Sequence, residues 1–387
     1  MIKVAIRSYC WDDWGGSEEL WAKSIPYLQE RKFEVMILKP RINRAHPEYL
    51  RLAKSNVILK DLKPANIFKK IRIQGNVKLN EILIKYKLPF AKNTLTTTTF
   101  VNAIKGYNPN LVIIAQGINF DGLKDAYACA VLKIPYVVIA QKAVDFFWPP
   151  NEFREIMTVA LKGAEKCFFV SNHNKRITEE QFGIRLPNAE VVFNPTKVSK
   201  RILEYPSTSN GFRLACVARL FLLDKGQDML IRIFSKEKWR NRPVSVDLIG
   251  GGQDTEALKE MAKLFNVSNI TFVGHVADME GLWLNYHALV LPSRGEGLPL
   301  SMIEAMAVGR TVVVTDVGGN ADFVEDGVTG FIGQANEQSF EEALDRAWQR
   351  RNEWESIGRE AASSIKTKVP KSPEKDFAET LIKMTHE

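Results

Sequence analysis

Short runs of β-branched and apolar residues alternate along the chain with longer segments of helical period. In the first half the runs are KVAIRSY, FEVMILK, NVILKDL, LVIIAQG, PYVVIAQ, KCFFVSN and EVVFNP. Strand-length runs separated by helix-length segments predict a parallel sheet covered by helices. After Asn194 the rhythm stops over PTKVSKRILEYPSTSNG, a weakly periodic stretch rich in Pro, Ser and Thr that reads as a linker. It then restarts with FRLACVARL, VSVDLIGGG, ITFVGHV, ALVLPS, TVVVTDV and GFIG. The pattern predicts an α/β protein of two doubly wound, Rossmann-like domains. Open parallel sheets bind ligands beyond the carboxyl ends of their strands, so chemistry is expected in the turns that follow these runs and in a cleft between the domains.

Composition narrows the class without changing the fold. A chain of 387 residues accommodates two cores, and 45% hydrophobic with 25% charged residues leaves no low-complexity tract that would predict disorder. MIKVAIRSY is interrupted by Lys3 and Arg7 and reads as a first strand rather than a secretion signal. Runs such as LVIIA are too short to cross a bilayer, so any membrane contact would be peripheral. Cys10, Cys129, Cys167 and Cys216 are scattered through apolar segments, with neither metal-ligand nor disulfide spacing, which suggests a reduced, cytoplasmic protein. The net charge of +8 is local: residues 31–105 carry 17 Lys and Arg against 4 Asp and Glu.

The turns of the second half hold the candidate chemistry. VARLFLLDKGQDML places Arg219 at a strand end and Lys225 just before a helix, a pairing suited to a multiply charged anion because the helix start adds to the field of both cations. VDLIGGGQD ends a strand in Gly250, Gly251 and Gly252, where missing side chains admit a ligand to the backbone, or simply make a tight turn. ITFVGHV puts Gly274 and His275 at another strand end, where His275 is either a capping residue or a ligand contact. SRGEGLPLSMIEAMAVGR predicts a helix with Pro299 in its first turn and Gly309 just past its end. Glu296 precedes that helix and Glu304 lies in its second turn, about 12 Å apart if the path were wholly helical. Carboxylates accept hydrogen bonds from hydroxyl groups, so these two need not face the anion.

The ordered set RLFLLDKG, EGLPLSMIEAMA and TDVGGNADFVEDGVTGFI, spanning roughly residues 212–333, resembles the retaining glycosyltransferases of family 4, which have the GT-B fold of two Rossmann-like domains facing a cleft. The resemblance implies an N-terminal acceptor-binding domain over residues 1–200 and a donor-binding domain over 201–365. A helical segment over 366–387 would pack back on the N-terminal domain. It implies that Arg219 and Lys225 neutralise a diphosphate leaving group, that Glu296 contacts the donor sugar and that Glu304 holds the ribose. Gly297, Leu298 and Leu300 would cradle the distal phosphate, with Gly16, Gly250, Gly251 and His275 also on the donor side. The implied reaction is retaining transfer of a hexose, first of all glucose from UDP-glucose, to a hydroxyl of a glycan or glycolipid during polysaccharide or glycoconjugate synthesis. No metal and no further cofactor is expected, and the chain contains no Asp-x-Asp.

In the first half, Gly15 and Gly16 follow the first strand in WDDWGGSEEL, with Ser17 expected to cap the next helix. Related proteins place this glycine pair near donor phosphates and acceptor, although a tight strand-to-helix turn would need the same residues. Where relatives often carry histidines after LVIIA and PYVVIA, this chain has Gln116 and Gln141, which donate hydrogen bonds but do not titrate near neutrality. Phe193, Asn194 and Pro195 replace the usual Pro-Asn-Gly turn. The basic stretch 66–92 has apolar residues at helical spacing and suits either peripheral contact with an anionic inner membrane face, an acidic acceptor, or a solvated helix face. No nucleic-acid module accompanies it. Two other functions share the architecture: a UDP-N-acetylglucosamine 2-epimerase, and a non-catalytic sugar-nucleotide or glycan binding subunit.

Overall fold

The computed structural model describes residues 1–62 and 98–386, so the basic stretch 66–92 and its membrane reading lie outside the described residues. The chain forms two units, one comprising Met1–Pro195 together with Ser372–Glu387, the other Thr196–Lys371. Among the described residues, unit 1 holds β1 (Ile2–Ser8), β2 (Phe33–Lys39), β3 (Ile58–Asp61), β4 (Leu111–Ala115), β5 (Tyr136–Ala140), β6 (Lys166–Phe169) and β7 (Ala189–Val191). They pair in parallel in the order β3-β2-β1-β4-β5-β6-β7. Unit 2 holds β8 (Phe212–Val217), β9 (Val244–Ile249), β10 (Ile270–Gly274), β11 (Ala288–Leu291), β12 (Thr311–Thr315) and β13 (Phe331–Gly333), ordered β10-β9-β8-β11-β12-β13 and again parallel.

The central strands are buried on both faces because helices cover both sides of a parallel sheet. Successive residues of the first sheet therefore divide between two cores. Ala5, Leu38, Val112, Ile114 and Val138 belong to one, while Val4, Ile6, Ile37, Ile113 and Val137 belong to the other. Phe377, Ala378 and Leu381 of the helix Pro373–His386 complete the second core, with Phe377 meeting Phe168 edge-on at 5.0 Å between ring centroids. This terminal helix also packs on the helix Gly16–Glu30.

Three local expectations change. The stretch after Asn194 is not a free linker, because its backbone is satisfied within unit 2: Leu203 N–H donates to Val308 O at 3.1 Å. Arg310, fully buried, donates to the carbonyls of Trp283, Leu203 and Glu204. A buried guanidinium thus supplies the donors that water would supply to an exposed linker. Ser17 does not cap its helix; the cap is Gly15, in extended backbone with no side-chain hydrogen bond, so the Gly-Gly pair is itself the helix start. Pro299 is the cap of the helix Leu300–Ala307 rather than a residue of its first turn, while Gly309, at φ +81, follows the helix end.

Candidate functional site

In unit 2 the direction of winding reverses between β8 and β11, so the loops 218–221 and 292–299 leave the sheet side by side at its carboxyl edge. This is the switch point where open α/β sheets hold ligands. Arg219 is exposed on the first loop, with its guanidinium 5.9 Å from the Phe221 ring. A short helix, Leu222–Lys225, ends at Gly226, and the next, Gln227–Ser235, begins there. Gly226 has φ +62, and a Cβ on it would lie 2.1 Å from Pro292 O, so the two loops touch through backbone.

The charged residues stand in a relation that their spacing in the chain does not show. Lys225 and Glu296, assigned separately to diphosphate and sugar, are paired: Nζ to Oε1 is 2.6 Å, with side chains only 16% and 6% exposed. Ser293 Oγ donates to the same carboxylate oxygen at 2.8 Å. Arg294 fixes this register by gripping Asp228 with both terminal nitrogens, at 2.7 and 2.8 Å, and by donating to Leu222 O. The Arg294 pairing holds the Asp228 carboxyl below its ordinary range despite burial. Ser293, Arg294 and Asp228 escaped sequence reasoning; the adjacency of Ser293 and Arg294 to Glu296 was the available signal, but Arg294 and Asp228 lie 66 positions apart.

Glu304 is buried on the helix Leu300–Ala307 and accepts from Lys197 N–H at 2.8 Å. Gly297 is buried, and its carbonyl accepts from Gly319 N–H at 2.7 Å. Leu298 and Leu300 are half-buried on either side of Pro299. No side chain caps this helix; Met302 N–H is given to Pro299 O at 3.1 Å, and the N–H groups of Leu300 and Ser301 stand at the helix start, where anions are commonly held.

The glycines divide by what surrounds them. A Cβ on Gly250 would stand 2.2 Å from Ala218 O, and one on Gly252 would stand 2.2 Å from Leu220 O, whereas Gly251 has nothing within 4 Å. Two of the three are therefore required by backbone packing beside Arg219, and Gly251 alone opens outward. Gly250→Ala, at φ +135, should lower the thermal midpoint by several degrees, while Gly251→Ala should leave it unchanged. Differential scanning fluorimetry of the two variants checks this, and equal midpoints would refute it. His275 is exposed beyond β10.

In unit 1, β1 and β4 form the corresponding switch point. Gly15 is half-buried and Gly16 exposed in the turn after β1. Gln116 and Gln141 lie at the carboxyl edge, buried, with their amides used inside the fold. Gln116 donates to Asp121 O at 2.8 Å, and Gln141 exchanges hydrogen bonds with Asn194, one at 2.8 Å. Behind them, Lys39 Nζ joins Glu18 at 3.2 Å and the carbonyls of Asp12 and Asp13, pinning the loop that leads to the glycine pair. Burial raises the Glu18 carboxyl despite that cation. Among the described residues, no group of three or more His, Cys, Asp or Glu is placed to hold a metal ion, and no helix is long and apolar enough to cross a membrane.

Comparison with known proteins gives this geometry a context. Residues 211–350, which include both switch-point loops of unit 2, match the family model described as glycosyl transferases group 1. Glycogen synthase of Pseudomonas syringae pv. syringae is 34% identical over 145 residues, 36% of this chain and 29% of that protein, so the chain covers well under half of this relative. An uncharacterized glycosyltransferase of Methanocaldococcus jannaschii is 29% identical over 267 residues, 66% of this chain and 71% of that one. Among solved structures, Anabaena HepE in complex with UDP-glucose aligns with a TM-score of 0.70 at 16% identity, covering 99% of this chain and 100% of that one. A glycosyltransferase from Rickettsia africae aligns with a TM-score of 0.73 at 16% identity, covering 100% and 99%. The two parallel-sheet units and these likenesses make the fold GT-B.

Proposed function

We propose that the chain is a retaining glycosyltransferase that moves a hexosyl group, first of all glucose from UDP-glucose, to a hydroxyl of a glycan or glycolipid. The observation that carries this reading is the meeting of Lys225 and Glu296 at the switch point of unit 2, inside the residues that match the glycosyltransferase model. Unit 2 then binds the donor and unit 1 the acceptor. The bond from the sugar C1 to the distal phosphate oxygen breaks, and its electron pair leaves with the nucleoside diphosphate. Arg219, Lys225 and the open N–H groups at the start of the helix Leu300–Ala307 meet that growing charge. The acceptor oxygen bonds to C1 on the face the phosphate leaves, and its proton passes to the departing phosphate oxygen.

When the diphosphate takes Lys225, Glu296 is released toward the sugar hydroxyls, and Glu304 serves the ribose hydroxyls. Gly297, Leu298, Leu300, Gly251 and His275 lie around the donor in this reading. Gly250 acts by holding the loop, and Gly15, Gly16, Gln116 and Gln141 shape the unit 1 side. The resident protein groups supply all the charge stabilisation, so transfer should survive a chelator.

Calorimetric titration with a panel of nucleotide sugars, in the presence of EDTA, tests the donor assignment. UDP-glucose should bind and be turned over. Arg219→Ala should reduce turnover by about 100- to 1,000-fold, the usual cost of removing one charge-stabilising donor, with little change in thermal midpoint because Arg219 is exposed. Unchanged turnover would remove Arg219 from the leaving-group site. An epimerised sugar formed from UDP-N-acetylglucosamine without acceptor would favour the epimerase reading instead.

A further inference from the structure

The loop 141–150 after β5 holds large apolar side chains out in water. Phe146 is 63% exposed and Trp148 55% exposed, flanking Phe147. Exposed aromatics on a slack loop would carry little meaning, but this loop is clamped. Asn119, buried on the loop after β4, accepts from Val144 N–H at 2.9 Å and donates to Phe147 O at 3.3 Å. Gln181, buried on the helix Asn172–Phe182, donates to Val144 O at 2.8 Å and to Phe147 O at 3.0 Å. The Phe147 ring is seated on Phe120 at 5.4 Å, and Phe120 on Phe182 at 5.4 Å. Phe147 is itself 46% exposed, so the clamp holds the backbone beneath three outward-lying rings. The Trp148 indole N–H is already given to Asp145 O at 2.8 Å, so what the indole offers a partner is its face.

Two buried amides thus hold the backbone beneath these exposed aromatic side chains at the carboxyl edge of β5, beside the β1/β4 switch point where a ligand of this sheet belongs. Preorganised aromatic faces give contact area at low entropic cost. The charges beside it choose the occupant. Asp145, Glu152 and Glu155 are exposed, while the cations Lys142 and Arg154 are half-buried, Arg154 being turned to Gln181 O. An anionic lipid surface would be repelled by those carboxylates. A neutral pyranose chain fits, because its C–H faces pack on aromatic rings and its hydroxyls donate to carboxylates.

We propose that Phe146 and Trp148 form a binding platform for an uncharged oligosaccharide, the glycan acceptor of the proposed reaction. The assignment rests on that function for the word acceptor, but not for the binding itself. Isothermal titration of the full chain with maltohexaose, cellohexaose and chitohexaose should show at least one of them binding. Phe146→Ala with Trp148→Ala should weaken that binding about tenfold or more, as expected for losing two aromatic contacts. Trp148→Phe should retain most of it. UDP-glucose affinity and the thermal midpoint should remain as in the wild type in every variant. No binding of any hexaose by the wild type, or equal binding by the double variant, overturns the platform. So does loss of binding to phosphatidylglycerol vesicles in the double variant with hexaose binding intact. Failure of the wild type to bind or turn over any nucleotide sugar would instead overturn the proposed function, and leaves the hexaose result to stand on its own.

Discussion

Lys225→Ala should reduce glucosyl transfer by about a thousandfold, at the upper end of what one charge-stabilising donor contributes. It should also destabilise unit 2, because Glu296 would be left as a buried carboxylate without its cation; breaking one side of a buried pair costs about 3–5 kcal/mol. The two losses have different causes and can be separated. Lys225→Met combined with Glu296→Gln removes both charges while keeping the volumes, and replacing both members of a buried pair is often close to neutral for stability. Chemical denaturation should therefore show stability recovered in the double variant. Transfer measured with UDP-glucose should remain low, since the double variant has neither the cation for the diphosphate nor the carboxylate for the sugar. A double variant that transfers at the wild-type rate would reduce the pair to a structural tie.

Arg310→Met should cost about 3 kcal/mol or more in unit 2 without touching the proposed chemistry. The guanidinium is wholly buried and its donors are aimed at the carbonyls of Trp283, Leu203 and Glu204. Methionine fills much of the space but leaves those carbonyls dry and unmatched, and each buried unsatisfied group costs about 1–3 kcal/mol. Hydrogen exchange followed by mass spectrometry should show residues 196–210 opening first, because Arg310 holds the carbonyls of Leu203 and Glu204 in that segment. As Lys197 N–H is bound to Glu304, a loosened segment should also weaken nucleotide binding modestly. Unchanged exchange over 196–210 would mean that the segment is held by other contacts. Arg310→Lys should not rescue, since one ammonium cannot reproduce the planar fork that reaches three carbonyls.

The two parallel sheets were legible because strands covered on both faces read as nearly continuous apolar runs, and strands in sequence order deliver their carboxyl-end turns in order. That rule singles out Arg219, Lys225 and Glu296 as candidates, and Glu304 on the helix that follows. It does not reveal their mutual relations. Lys225 and Glu296 are 71 positions apart, and nothing in the spacing says that cation and carboxylate neutralise each other. The glycine run shows a second limit. A glycine that admits a ligand and one that admits a neighbouring carbonyl have the same sequence signature, and only the 2.2 Å approaches at Gly250 and Gly252 separate them from Gly251. The segment between the units shows a third, for the carbonyls of Leu203 and Glu204 are met by one arginine more than a hundred residues downstream. The platform at Phe146 and Trp148 was hidden likewise: an aromatic cluster in sequence usually predicts core, and only its clamp by Asn119 and Gln181 shows that it faces outward.

Unit 1 is completed by Ser372–Glu387, so all of unit 2 is inserted into it in chain order. During synthesis the ribosome releases the whole first sheet, then an entire second unit, before the helix Pro373–His386 emerges to seat Phe377, Ala378 and Leu381. Until then the apolar groove beside Leu20, Trp21 and Phe168 has no native cover. The nascent chain therefore carries an incomplete unit while all of Thr196–Lys371 is made, and refolding from denaturant should be slowed by the wait for this last helix to dock.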